Sequence, residues 1–327
     1  MARALGRAGS AGWWSVMIRL LRSPGGVVGS LAALGVGLAL AFAPGSGRYE
    51  KSVRFDPILG LPTPPVHWAG VGPGVFDSRA STIAMICFLI IFGGAVIWGV
   101  IESLRSRSLT PVALSLSGVL CVFAELNLDV MGGVTYANDS HSVAFSLMGH
   151  HMGWFVVAAW SAYGGLFALA AYKVFSRSDL SNRAIWLGLL LVCAGQALFE
   201  ETLGHFNGIY YYYGHQPLTP FTQFPWWIIL PTSGGVCLLA ALTYRFRENL
   251  RGPRALSVIL MAPFTFCGFM GAVSLPAWIA LNSNLSRPVT QVLGLVSVAA
   301  GLVAFAMIMK LVLNRDPLEL SGIGTEY

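Results

Sequence analysis

Eight runs of largely uncharged, apolar residues decide what this chain can become: about 25–43, 80–101, 110–131, 143–172, 184–204, 226–244, 255–281 and 289–313. A helix rises about 1.5 Å per residue, so roughly 20 apolar residues cross the hydrocarbon of a bilayer. Backbone polar groups in lipid must be satisfied within the segment, which makes runs of this length helices rather than strands. The expected fold class is all-α, a polytopic transmembrane helical bundle of about eight spans. Composition agrees, at 55% hydrophobic and 10% charged, where a soluble domain carries about 25% charged residues.

The formal net charge of +6 raises nucleic acid as a partner. No basic stripe on a polar fold accompanies it, so the expected partners are the lipid bilayer and a hydrophobic small molecule, with no nucleic acid. The sequence carries no sign of an oligomeric state. Placing the N-terminus inside puts fifteen of the twenty Lys and Arg on the cytoplasmic side, among them Arg22, Arg105, Arg107, Lys173, Arg245 and Lys310. Arg48, Lys51, Arg54, Arg79 and Arg287 fall outside. That asymmetry follows the positive-inside rule and predicts a multi-pass cell-membrane protein with both termini cytoplasmic.

The expected organisation is a basic N-terminal segment over 1–24, a transmembrane domain over 25–313 and a cytoplasmic tail over 314–327. A Pro/Gly-rich loop over 44–79, carrying His67, forms the long external connection. Ala41-Phe42-Ala43 has the form of a signal-peptide cleavage site. The run before it is long for a signal core, so the first helix is expected to stay. The five cysteines stand singly inside apolar runs, which indicates neither zinc nor a disulfide framework.

Two blocks concentrate the unusual chemistry. One is "VFAELNLDVMGGVTYANDSHSVAFSLMGHHMGWF", Val122 to Phe155; the other is "FEETLGHFNGIYYYYGHQPL", Phe199 to Leu218. Each puts acids at the outer end of an apolar helix, then Gly and Tyr, then a polar loop. Each is followed by a helix carrying Gly-Gly, at Gly164-Gly165 and Gly234-Gly235. The correspondence suggests an internal helix-pair repeat. Glu125 and Asp129 share a helical face above Gly118 and Cys121, and Glu200 shares one with Cys193, Gln196 and Gly204. Small residues below each acid admit a neighbouring helix or a ligand.

Ionisable groups at membrane depth are costly and normally mark function. Two carboxyls in an apolar place can divide into a proton donor and a proton acceptor, as cyclisation, hydration or dehydration requires. The candidate catalytic residues are Glu125, Glu200, Asp129 and Glu201, while Asp139 reads as a helix-end acid. The candidate substrate-binding residues are Gln196, His205, Tyr210, Tyr212, His150 and His151. His141 and His215 lie in the same blocks, yet Glu201-x3-His205 is the one ligand-like helical spacing, so no metal site is expected, and acid–base chemistry between carboxyls requires no cofactor. Tyr210 to Tyr213, Trp226 and Trp227 lie where an interfacial aromatic belt belongs. One or two of the tyrosines are expected to face inward, and Gln216-Pro217 to fix the turn.

At these residues the chain resembles the spirocyclase AveC-like family of actinobacterial membrane proteins. The resemblance rests on Glu125-x3-Asp129-x2-Gly132 with its loop and aromatic Gly-Gly helix, and on Glu200 followed by "GIYYYYGHQPL" and Pro225-Trp226-Trp227. It covers roughly residues 120–235. It implies formation of a spiroketal from a dihydroxy-ketone polyketide, in some members with dehydration of a neighbouring alcohol. The residues fit that chemistry, with Glu200 and Glu125 as an acid–base pair and Asp129, Glu201 and His205 in support. Rival readings are a carboxylate-driven isoprenoid cyclase or hydratase, a metal-dependent membrane oxygenase, and a transporter or scaffold with a carboxyl proton relay.

Overall fold

A computed structural model describes residues 78–136, 143–147, 150–204, 209–222 and 224–323. The expected span at 25–43, the loop to residue 77 with His67, Asp139, His141 and His205 lie outside the described residues. Seven helical segments in the described part are long and apolar enough to cross a membrane: Arg79–Ser106, Thr110–Val130, Trp154–Phe175, Asn182–Leu203, Trp226–Arg245, Gly252–Leu281 and Arg287–Val312. Six of them begin and end within a few residues of the apolar runs. The remaining one, on the fourth apolar run, begins at Trp154, eleven residues later than the run at 143 suggested.

The helices in chain order are α1 (Ser78–Ser106), α2 (Thr110–Cys121), α3 (Glu125–Val130), α4 (Trp154–Phe175), α5 (Asn182–Gly204), α6 (Ile229–Arg245), α7 (Ser257–Leu281) and α8 (Arg287–Met307). A 3-10 turn over Val122–Ala124 separates α2 from α3, and another over Trp226–Ile228 leads into α6. The bundle is not purely helical. β1 (Val134–Tyr136) pairs antiparallel with β4 (Tyr210–Tyr212), and β2 (Val143–Leu147) with β3 (His150–Gly153). The β2–β3 hairpin accounts for the late start of α4. Ser146 and His151, bonded Oγ to Nδ1 at 2.7 Å, pair across it, and Gly153 is extended at φ −77, ψ 154 before the helix begins.

α6 is the central helix, with 83% of its apolar window buried, and α1 is peripheral, with 17%. Glycine sets a close crossing between α2 and α4. A Cβ on Gly118 of α2 would meet the Ser161 carbonyl of α4, and one on Gly165 would meet the Ser115 carbonyl of α2. Small residues thus bring backbones together where lipid supplies no hydrophobic drive. In α7 the two prolines Pro263 and Pro276 are interior. Proline clashes with the preceding turn and loosens the helical hydrogen bonds there. The Ala277 N–H then donates across to Ser297 Oγ of α8 at 3.0 Å.

At the end away from the strands, Glu102 of α1 accepts from Lys173 Nζ of α4 at 2.6 Å. The C-terminal segment is no free tail. Arg315, 5% exposed, donates to the carbonyls of Leu180 and Arg177 at 2.7 and 2.9 Å. Asn182 Nδ2 donates to the Asp316 carbonyl at 2.8 Å, and the N–H groups of Asn182 and Arg183 donate to the carbonyls of Gly322 and Leu320. Residues 315–323 therefore lie bound to the start of α5.

Candidate functional site

The site is built where two helix ends meet a two-stranded ladder. The 3-10 turn after Cys121 tightens the chain and starts α3 at Glu125, which is 3% exposed. Its carboxylate accepts from the Tyr136 hydroxyl at Oε1 and from the Trp160 indole N–H at Oε2. Near the end of α5, Glu200 Oε2 accepts from the Tyr210 hydroxyl at 2.6 Å. The ladder aligns Val134 with Tyr212, Thr135 with Tyr211 and Tyr136 with Tyr210. The two tyrosines that hold the two glutamates are thus direct cross-strand neighbours, their rings 6.3 Å apart.

Glu125 and Glu200 line one cavity of about 330 Å³. Tyr136, Tyr210, Tyr212, Trp160 and Gln196 share that lining, and Val156, Leu166, Phe167 and Ile228 make the rest largely apolar. A mostly apolar pocket of this size with a few convergent polar groups is what a small-molecule site requires. Gln196 is fixed in orientation: its Oε1 lies 2.8 Å from Thr232 Oγ1 and 3.1 Å from both Ser233 Oγ and the Tyr163 hydroxyl. Burial pushes the hydroxyls of Tyr136, Tyr210 and Tyr212 well above the usual tyrosine range, and nearby carboxylates push further. For Tyr212 those charges are Glu200, Glu125 and Asp129. All three phenols stay protonated and can donate.

The other predicted residues fall elsewhere. Glu201 points out of the cavity lining, accepting from the Thr222 N–H at 2.9 Å and from the Trp226 indole at 2.7 Å. It ties the end of α5 to the loop and helix that follow. Asp129 is fully buried one turn beyond Glu125; among the described residues neither carboxylate oxygen has a hydrogen-bond partner, and it is absent from the lining. His151 sits in β3 against Ser146, and His150 pairs with Leu147 in the same hairpin. Among the described residues no three His, Cys, Asp or Glu come together to hold a metal ion.

The tyrosine run is more buried than a belt would be. All four of Tyr210 to Tyr213 are buried, and Trp227 is fully enclosed with its indole on Gln216 Oε1 at 3.1 Å. Gln216 does fix the turn, and it joins the two blocks: its Nε2 donates to the Gly132 carbonyl at 2.6 Å and to that of Tyr213 at 2.9 Å. Sequence reasoning missed Trp160, which had no signal beyond being aromatic in an apolar helix. It also missed Tyr136, for which a signal existed. Tyr136 follows Glu125 by eleven residues much as Tyr210 follows Glu200 by ten. Comparison with protein-family models, curated proteins and solved structures finds no match.

Proposed function

We propose that this protein is a membrane-embedded cyclase that forms a spiroketal from a dihydroxy-ketone polyketide by carboxylate acid–base catalysis. One observation carries the reading: Glu125 and Glu200 line the same apolar cavity, each held by its own tyrosine hydroxyl. The resemblance of residues 120–235 to the spirocyclase AveC-like family points the same way.

The chemistry proceeds by proton transfers alone. One substrate hydroxyl adds to the ketone, giving a hemiketal whose new hydroxyl takes the carbonyl oxygen. A carboxylic acid protonates that hydroxyl, which leaves as water, and an oxocarbenium ion remains. The second substrate hydroxyl attacks the cationic carbon and yields its proton to the other carboxylate, closing the spiroketal with net loss of one water. General acid and base catalysis of this kind contributes about 10²–10⁴-fold. Trp160 and Tyr212 line the cavity in which positive charge develops, and aromatic rings stabilise a nearby cation. Tyr136 and Tyr210 orient the two carboxylates, and the Gln196 amide supplies a fixed polar contact. An apolar chamber also imposes one folding of the substrate, which sets product stereochemistry.

The test is turnover of a dihydroxy-ketone, followed by mass and by chiral chromatography, with the wild type, E125Q and E200Q. Each glutamine variant is expected to lose about 10²-fold or more in rate. Wild-type rates and the same product enantiomer from both variants would end the proposal.

A further inference from the structure

The walls of the cavity are uneven. α4 forms its back, while α1 and α5 stand at its sides. α1 packs against α2 and α4, and α5 against α4 and α6. The two side helices meet at the strand-bearing end, where Phe88 and Phe199 stack edge to face, ring centroids 5.3 Å apart. Leu203 reinforces that contact from α5. Inward of it the wall thins. Among the described residues, Ile91, Gly195 and Phe199 line the cavity and are themselves exposed. A Cβ on Gly195 would meet no atom within 4 Å. This level lies within the candidate spans Arg79–Ser106 and Asn182–Leu203, where an opening would face acyl chains rather than water.

The acidic groups of the cavity lie at one end, with Tyr163, Gln196 and Thr232 as further polar lining. The carboxylates and their tyrosines sit at the strand-bearing end, and Leu166 and Phe167 lie about 10 Å further in along α4, from the rise per residue between Trp160 and Phe167. We infer that the slot between α1 and α5, beneath the Phe88–Phe199 pair, is a lateral portal. Through it an elongated apolar molecule dissolved in the bilayer enters with its oxygen functions leading to Glu125 and Glu200 and its hydrocarbon lying along Phe167. The direction of the guest rests on the cyclase reading, whereas the route rests on the walls alone. A portal of this kind delivers oily substrate from the membrane to acids that water reaches poorly.

The experiment uses the full chain in phosphatidylcholine vesicles with a long-chain hydroxy-ketone carrying a diazirine in its alkyl chain. After photolysis, labelled peptides are mapped by mass spectrometry. The wild type is expected to carry label inside, on the Trp160–Phe167 stretch, and outside, at Leu198. Gly195→Trp fills the slot without displacing backbone, and inside label is expected to fall about tenfold or more, the exclusion a bulky side chain imposes on space a guest needs. Label at Leu198 should not change. Ile91→Trp, from the opposite wall, repeats the test if the first variant does not fold. Inside label equal to wild type in a folded variant, or outside label without inside label in the wild type, overturns the portal. The cyclase reading is separable: E125Q and E200Q should keep inside label while losing turnover. If the portal fails, a short water-soluble dihydroxy-ketone should still be cyclised.

Discussion

Tyr136 and Tyr210 face each other in the β1–β4 ladder, and each donates its hydroxyl proton to a different glutamate. Three residue pairs of β-structure thereby fix the positions of two carboxylates that lie 75 residues apart in the chain. The strands carry Val134, Tyr210 and Tyr212 into the core, and they set the spacing across which a substrate would be held.

Removing either hydroxyl should uncouple one carboxylate from that spacing. A hydrogen bond to a charged group is worth about 1.5–3 kcal/mol. Y136F and Y210F are each expected to lower turnover of the dihydroxy-ketone by about tenfold to a hundredfold. Y211F, whose residue is the middle rung of the ladder, serves as the control with near-normal turnover. Steady-state rates on the three purified variants check this, and a Y211F defect as large as the others would refute it.

Glu201 should matter for stability and not for chemistry. It holds the Thr222 N–H and the Trp226 indole, and it faces away from the cavity. E201A is expected to cost about 2–3 kcal/mol, since it strands donors that a charged acceptor satisfied. Thermal unfolding in detergent should show the loss, while turnover per folded molecule stays at the wild-type level.

The α2–α4 crossing gives a contrast between two glycines. Gly165 abuts the Ser115 carbonyl, whereas a Cβ on Gly94 meets nothing within 4 Å. Overpacking of a tight contact costs about 1–3 kcal/mol and sometimes more. G165L should therefore lower the unfolding temperature clearly, and G94A should leave it unchanged or raise it. Parallel melts of the two variants decide the point.

The C-terminal segment should respond to acid. The hydrogen bond from Lys310, then that from the Leu318 N–H, holds the exposed Asp316 carboxyl below the usual carboxylate range. A carboxyl depressed in the folded state contributes stability that is complete above its unfolded value and is lost as pH falls through the folded one. The attachment of residues 315–323 is thus expected to be constant above about pH 5 and to weaken below about pH 4. Hydrogen exchange at Asn182 and Gly322, which donate to Gly322 and Glu319, reports it. D316N should start weaker and lose the pH dependence.

Much of this was readable from the chain. Run length alone located the spans of α1, α2, α5, α6, α7 and α8, because lipid leaves a helix little alternative. Acids at the ends of such runs located Glu125 and Glu200 for the same reason. The ladder was not readable. Strands of three residues have no periodicity of their own, and their pairing joins segments far apart in sequence. The run from 143 looked like the start of a helix because its apolar content is high, yet Gly153 and the Ser146–His151 pair turn it into a hairpin. Separating Glu201 from Glu200 also required the structure. The two are adjacent, and only the direction of each side chain makes one line the cavity and the other a strut.

Helix α5 is held at both ends, by the returning residues 315–323 at its start and by Glu201 at its finish. In mechanical terms it is a beam clamped at two supports, with Gly195 between them on the side of the cavity. Such a beam does not swing; it bows, and its deflection is greatest away from the supports. Long helices already curve gently at little cost. Deleting residues 315–323 would turn the beam into a cantilever, and a cut at the far end of the protein would be felt as a wider tolerance for bulky guests beside Glu200.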